Sequence, residues 1–272
     1  MRERVIYLIK TYLWTVVVFI IAKIGFMLSC RTDHDFTFDD VFQVITHGLS
    51  LDLSTALYFL IIPFLLTIVS LWWNQGKVLK RISCIYYVII AIAFALAFVA
   101  DTSLYPFWGF KLDASCLQYL STPNEAAASV STGYLLVRLV ILAGLVWLVW
   151  LGYPKMNFKP VHKGRRLLFT MIYLLFIPLI VIGIRGGIDE STTNIGQVYY
   201  SQNQFLNHSA VNPVFNFIYS LSHQLSNDNA YEFMEPSECA ELVKDIYTIE
   251  PVAFNTNTKL SCTFLSESNW KS

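Results

Sequence analysis

Five long apolar segments, separated by shorter polar stretches, dominate the pattern of hydrophobic and polar positions along the chain. The hydrocarbon core of a bilayer is about 30 Å thick, and an α-helix needs about 20 apolar residues to cross it. Each segment approaches or exceeds that length, so the pattern predicts an all-α integral membrane protein with five transmembrane helices. The predicted spans are residues 5–29, 48–73, 83–100, 133–153 and 167–184.

The composition agrees with a membrane protein and argues against several functions. Of the 272 residues, 55% are hydrophobic and 14% are charged, whereas soluble domains carry about 25% charged residues. The formal net charge is zero, so no overall field favours nucleic acid as a partner. The five cysteines show no CxxC spacing, and the chain has no HExxH, P-loop or GxSxG motif. We therefore expect no catalytic residue, no metal site and no cofactor within this chain.

The basic residues predict which side of the membrane each loop faces. They cluster before the first span, between the second and third, and between the fourth and fifth, and cytoplasmic loops carry such an excess. We expect a bacterial inner-membrane protein with a cytoplasmic N-terminus, five crossings and a periplasmic C-terminus. The clustered residues are Arg2, Arg4, Lys10, Lys77, Lys80, Arg81, Lys155, Lys159, Lys163, Arg165 and Arg166.

Five ionisable residues lie within or at the ends of the predicted spans, all in the outer half of the membrane: Lys23, Asp52, Asp101, Arg138 and Arg185. Such groups are costly in hydrocarbon and indicate functional sites. Two interpretations are open. The residues bind an anionic phospholipid headgroup, whose phosphate suits arginine, or they pair with one another and fix the bundle. Membrane lipid is the expected partner, and the oligomeric state is not predicted.

A first amphipathic stretch precedes the second span. Thr37 is a candidate N-cap, and apolar residues recur at helical spacing over 37–49. This pattern predicts a short helix that lies on the outer face of the membrane.

A second amphipathic stretch follows the fifth span, in the interfacial segment 185–225. Its sequence "NQFLNHSAVNPVFNFIYS" has no charged residue. Asn212 as N-cap and Pro213 at the first helical position predict a helix of about three turns. Its apolar face includes Phe217 and Leu221, so we expect it to lie on the bilayer surface. Residues 226–272 are expected to form a short extracytoplasmic linker.

Three stretches resemble a known family. They are "GLSLDLSTALYFLIIP", "ADTSLYPFWGFKLDASCLQYLSTPNEAAASVSTG" and "IRGGI…NIGQVYYSQNQFLNHSAVNPVFNFIYS". Over residues 1–255 the chain resembles the membrane half of bacterial lipoteichoic-acid-synthase-like proteins, of the type found in Bacteroidetes. That family belongs to the sulfatase/alkaline phosphatase superfamily.

The resemblance implies five N-terminal spans, a linker and a large extracytoplasmic domain. That domain transfers a phosphoglycerol or similar phospho-headgroup from a lipid, or hydrolyses a sulfate or phosphate ester. It uses a Thr or Ser nucleophile and a divalent metal such as Mn or Mg. This sequence ends at Ser272, where the domain should begin. We therefore expect a membrane-anchoring, lipid-facing part that is catalytically inactive alone, with the metal in the missing domain.

Two other functions remain open from the sequence. One is a stand-alone membrane scaffold or lipid-binding module. The other is a small transporter, against which the absence of an internal repeat argues. A shortage of polar residues in the inner half of the predicted spans argues against it as well.

Overall fold

The computed structural model describes residues 1–31, 33–73, 75–120, 131–188 and 191–227, which form helices joined by loops, with no strand among them. The chain divides into two units, Met1–Leu225 and Ser226–Ser272, and the helices belong essentially to the first. The predicted linker over 226–272 lies almost wholly outside the described residues. The α-helices in the described ranges are α1 (Arg2–Ser29), α2 (Phe38–Trp72), α3 (Gly76–Trp108), α4 (Thr132–Gly152), α5 (Arg166–Arg185), α6 (Gln204–Ala210) and α7 (Pro213–Asn227).

Helices α1 to α5 supply five segments long and apolar enough to cross a membrane, so the chain is a multi-pass membrane protein as the apolar pattern predicts. The shortest, α5, has 20 residues and is about 30 Å long at 1.5 Å per residue. That length matches the hydrocarbon core. Helices α2 and α3 have 35 and 33 residues, so both extend well beyond it.

Helices α1, α2 and α3 form the centre of the bundle. An aromatic layer at its middle packs Phe19 of α1 against Phe94 of α3, with ring centroids 5.0 Å apart, and Phe59 of α2 against Phe94 at 4.8 Å. Helix α4 packs on α3, and α5 packs on α2. Each of these two outer helices fully buries one described residue, Val149 in α4 and Tyr173 in α5.

Successive long helices run antiparallel, as side-chain contacts along their lengths show. Arg4 near the start of α1 bonds Ser70 near the end of α2, while Lys23 near the end of α1 bonds Asp52. The bundle therefore has two ends. The basic end carries residues 2–4, 75–81 and 153–166. The return end carries residues 33–37, 109–120 and 191–216.

The helix predicted over 37–49 is not a separate surface helix, because α2 is continuous from Phe38 to Trp72. The cap itself is confirmed: the Thr37 hydroxyl accepts from the Asp40 amide, and the Asp40 carboxylate accepts from the Thr37 amide. No proline interrupts the chain before Pro63, so the amphipathic turns run directly into the spanning helix.

The third span was predicted to end at Asp101, and this end is also too early in the chain. Helix α3 continues two turns further, to Trp108, and the next residue, Gly109, has a φ of 70°, the left-handed conformation that glycine adopts readily. The helix does not need to end at Asp101, because the carboxylate has partners inside the protein.

Candidate functional site

The return end is closed by residues 203–216, termed the return segment, which fold back against α1, α2 and α3. Every residue from Phe205 to Phe215 is buried. The Phe205 ring stacks on His34, with centroids 4.2 Å apart, and packs against Phe26 of α1. The prediction that this stretch lies on the bilayer surface is therefore wrong for its first half, which packs inside the bundle end.

A buried ion pair lies directly beneath the return segment. The Lys23 ammonium of α1 is 2.7 Å from the Asp52 carboxylate of α2, and the two side chains are 2% and 0% exposed. Lys23 also donates to the Gly48 carbonyl at 2.8 Å. The second Asp52 oxygen accepts from the Asn212 side-chain amide at 2.9 Å. Helices α1 and α2 and the return segment thus share one buried polar cluster.

Asn212 both begins α7 and attaches it to the bundle. Its side-chain oxygen accepts from the backbone amides of Val214 at 2.9 Å and Phe215 at 3.3 Å, which confirms the predicted N-cap. Its side-chain nitrogen is the group that bonds Asp52. Pro213 is buried at the first helical position, where its lack of an N–H costs nothing.

Gly48 allows the return segment to approach α2 closely. A Cβ atom at this position would lie 2.2 Å from the Lys23 ammonium and 2.3 Å from the Ala210 carbonyl oxygen. In the sequence Gly48 was only the first residue of the predicted second span, and the packing shows why a side chain cannot stand there.

A second buried ion pair joins α3 to the loop that follows it. The Lys111 ammonium is 2.5 Å from Asp101 and 3.5 Å from the centre of the Phe26 ring, a cation–π contact. The other Asp101 oxygen accepts from the Leu112 amide at 3.0 Å. Asn216 of α7 donates to the Leu112 carbonyl at 2.8 Å, so this loop also holds α7.

His208 lies at the centre of the return segment and is 5% exposed. Its Nδ1 is 3.1 Å from the Tyr105 hydroxyl, and Nε2 is 3.4 Å from the Gln204 amide. Burial lowers the pKa of His208, the Lys111 ammonium lowers it further, and Asp101 raises it. The imidazole is therefore neutral at pH 7 and acts as a hydrogen-bonding group.

The five ionisable residues predicted as one group separate in the structure. Lys23 and Asp52 pair with each other. Asp101 pairs with Lys111, which lies in the loop after α3. The hydropathy pattern gives no sign of this pairing. Arg138 lies on α4, apart from both pairs, and its guanidinium is 3.4 Å from the Thr102 hydroxyl. Arg185 is the last residue of α5, and its carbonyl accepts from the Thr193 amide.

The two residues predicted on the apolar face of α7 are half-buried: Phe217 and Leu221. Among the described residues no group of three His, Cys, Asp or Glu side chains is placed to hold a metal ion. The charged and amide groups described at the return end form ion pairs and hydrogen bonds with one another.

The basic end holds a polar cluster that the sequence did not reveal. The Arg4 guanidinium, 2% exposed, donates to the hydroxyl and carbonyl of Ser70 at 2.9 and 3.2 Å. A positive group there suits the carbonyl end of α2. The Tyr7 hydroxyl bonds those of Ser83 and Tyr87 at 2.9 and 2.6 Å. The premise that the inner half lacks polar residues is therefore wrong.

This polar cluster does not continue through the bundle. Along α1 the Thr15 hydroxyl bonds Tyr153, and one turn later Phe19 is 1% exposed within the aromatic layer. Lys23 lies one further turn along α1. Along α1, in the part of the chain that the structure describes, an apolar layer thus separates the polar groups of the two ends.

No protein-family model, curated protein or solved structure matches this chain. Its assignment to the multi-pass membrane proteins rests on the five apolar helices.

Proposed function

We propose that the chain is the membrane-anchoring, lipid-facing module of a cell-envelope enzyme, a phospho-headgroup transferase or sulfatase-like hydrolase. In this proposal the return end faces the periplasm and holds the start of α7 at a fixed place on the bundle. The supporting observation is the double role of the Asn212 side-chain amide. Its oxygen caps α7, and its nitrogen bonds the buried Asp52.

A simple anchor would not need this arrangement. A flexible tether after the last span could leave the membrane as a solvated chain, with no buried polar contacts to satisfy. The return segment instead passes over three helices and buries Asn207, His208 and Asn212. Each buried amide or imidazole costs free energy unless it is hydrogen-bonded, and each of them is. The attachment favours a role in which the bundle holds the start of α7 in place.

The charge distribution supports the proposed orientation. Glu3 is the only acidic residue in the ranges 1–10, 73–83 and 153–166, which hold most of the lysines and arginines. An excess of Lys and Arg is characteristic of cytoplasmic loops. The basic end would then face the cytoplasm and the return end the periplasm of a bacterial inner membrane.

The enzyme part of the proposal is supported by the resemblance of the three quoted stretches. On that basis the nucleophile and the Mn or Mg ligands belong to an extracytoplasmic domain, and this chain contributes placement relative to the membrane. The metal would polarise phosphoryl oxygens and activate the nucleophile there.

Cysteine labelling tests the orientation. With the five native cysteines replaced by serine, Asp35→Cys reports the return end and Asn157→Cys reports the basic end, since both positions are exposed. In spheroplasts an impermeant maleimide should label Asp35→Cys and should label Asn157→Cys only after the membrane is opened. The opposite order would place the return end in the cytoplasm and rule out the proposed anchor for an extracytoplasmic enzyme.

A further inference from the structure

An apolar groove of about 420 Å³ runs between α1, α3 and α4. Its walls include Ala22 and Gly25 of α1, Phe98 of α3 and Ile141 of α4. A Cβ built on Gly25 would meet no atom within 4 Å, so open space lies beside this part of α1. The volume lies within the range of small-molecule and cofactor sites.

The groove is closed towards the basic end by Trp14. The indole nitrogen donates to the Val149 carbonyl of α4 at 2.9 Å. Any Cβ at Gly152 would overlap the same indole, at 2.1 Å from its nearest atom. Val149 is the one described residue of α4 that is fully buried. Helix α4 is therefore fixed against α1 near its last turns.

Among the residues that the structure describes, Arg138 is the only charged one that lines the groove. Its guanidinium is 3.4 Å from the Thr102 hydroxyl and 4.9 Å from the centre of the Tyr134 ring. Neither neighbour is an acid, and the two ion pairs among the described residues lie elsewhere. Charged side chains within spanning helices normally pair or reach the interface. The guanidinium can therefore bind an anion, and the described residues supply none.

The depth of Arg138 suits a lipid headgroup. It is six residues past Thr132, the first residue of α4, which places its Cα about 9 Å below the helix start. A long arginine side chain can extend its charged head back to the interface while its stem stays among apolar groups. The guanidinium then reaches the level of lipid phosphates in the leaflet at the return end.

We propose that this groove holds one acyl chain of an anionic phospholipid from that leaflet, with Arg138 bound to the lipid phosphate. The occupant follows from the lining: an apolar trough closed at its deep end takes a hydrocarbon chain, and a guanidinium at its mouth takes a phosphate. Thr102 keeps the guanidinium over the groove. The site goes beyond the proposed anchoring role, because anchoring and placement require no bound lipid.

A second groove in the same bundle provides an internal reference. It has a volume of about 370 Å³ between α1, α2 and α5, and its lining contains no charged residue. Lipid chains can fill this groove without regard to their headgroup. Selectivity for an anionic headgroup is therefore expected from the Arg138 groove alone.

Native mass spectrometry of the detergent-purified full chain, with phosphatidylglycerol or phosphatidylcholine added, tests the proposal. Wild type should retain phosphatidylglycerol more strongly, and Arg138→Gln should weaken that retention about tenfold, since a hydrogen bond to a charged group is lost. Arg138→Lys should weaken it less. Arg81→Gln removes an exposed arginine of α3 at the basic end and should leave retention within about twofold of wild type.

Two further measurements separate the lipid from other causes. Gly25→Leu fills the groove without removing the charge and should lower retention of phosphatidylglycerol as Arg138→Gln does. Inorganic phosphate should not displace the lipid, because it cannot occupy the apolar part. Equal retention of the two lipids by wild type would overturn the proposal, as would equal losses in Arg138→Gln and Arg81→Gln, displacement by phosphate, or unchanged retention in Gly25→Leu. These outcomes are independent of which side the return end faces.

Discussion

Asp52→Leu should lower the free energy of unfolding by about 3–5 kcal/mol, because it leaves the Lys23 ammonium buried without its counter-charge. Lys23 is 2% exposed and cannot reach water without disturbing the return segment. The same change removes the acceptor of Asn212, so one attachment of α7 is lost together with the ion pair. Thermal unfolding of the purified protein in one detergent, with wild type in parallel, measures the effect.

Two controls show whether the loss comes from the unpaired charge. Asp39→Leu changes an exposed acid on the same helix, and its effect should stay within about 0.5 kcal/mol. The double variant Lys23→Met with Asp52→Leu replaces the pair by apolar groups and should recover much of the loss, as buried pairs exchanged together often do. The explanation fails if Asp52→Leu behaves like Asp39→Leu, or if the double variant loses the sum of both single effects.

Gly48→Ala should be the second severe substitution, because its Cβ would overlap Lys23 and the Ala210 carbonyl oxygen. The lysine end can move, but the carbonyl belongs to the backbone of the return segment, which must shift. Overpacking of this kind costs about 1–3 kcal/mol, while the higher helix propensity of alanine returns at most about 1 kcal/mol.

Gly144→Ala is the matched control, since it is also a glycine within a spanning helix and a Cβ there meets nothing within 4 Å. It should leave the melting temperature unchanged or raise it, whereas Gly48→Ala should lower it. Equal melting temperatures for the two variants would mean that the return segment does not pack on α2 at this position.

The spanning helices could be predicted from the sequence because hydropathy over about 20 residues reflects a single requirement, the thickness of the hydrocarbon core. The caps at Thr37 and Asn212 could be predicted for a similar reason, since their chemistry is local. The continuity of α2 could not be predicted. Helical periodicity over 37–49 is the same whether the turns lie on a membrane surface or continue into a span.

The burial of the return segment was not predictable from its composition. Uncharged aromatic and amide residues suit the membrane interface, and they equally suit a hydrogen-bonded position inside a bundle end. The choice depends on partners distant in sequence: Asn212 needs Asp52, which is 160 residues away. The pairing of Asp101 with Lys111 was missed because a loop lysine gives no hydropathy signal. Arg4 was interpreted as a flanking charge, although its side chain is buried.

The burial of the return segment between α1, α2 and α3 is tested most directly by the reactivity of a cysteine placed within it. In a cysteine-free background, Ser209→Cys reports a side chain that is 0% exposed, and Ser222→Cys reports an exposed position on α7. Each variant is treated in membranes with a water-soluble maleimide and, separately, with a lipid-soluble one. Ser222→Cys should react with at least one reagent, and Ser209→Cys with neither until the protein is unfolded. Rapid reaction of Ser209→Cys with the lipid-soluble reagent would place the segment on the bilayer surface and contradict its burial in the bundle.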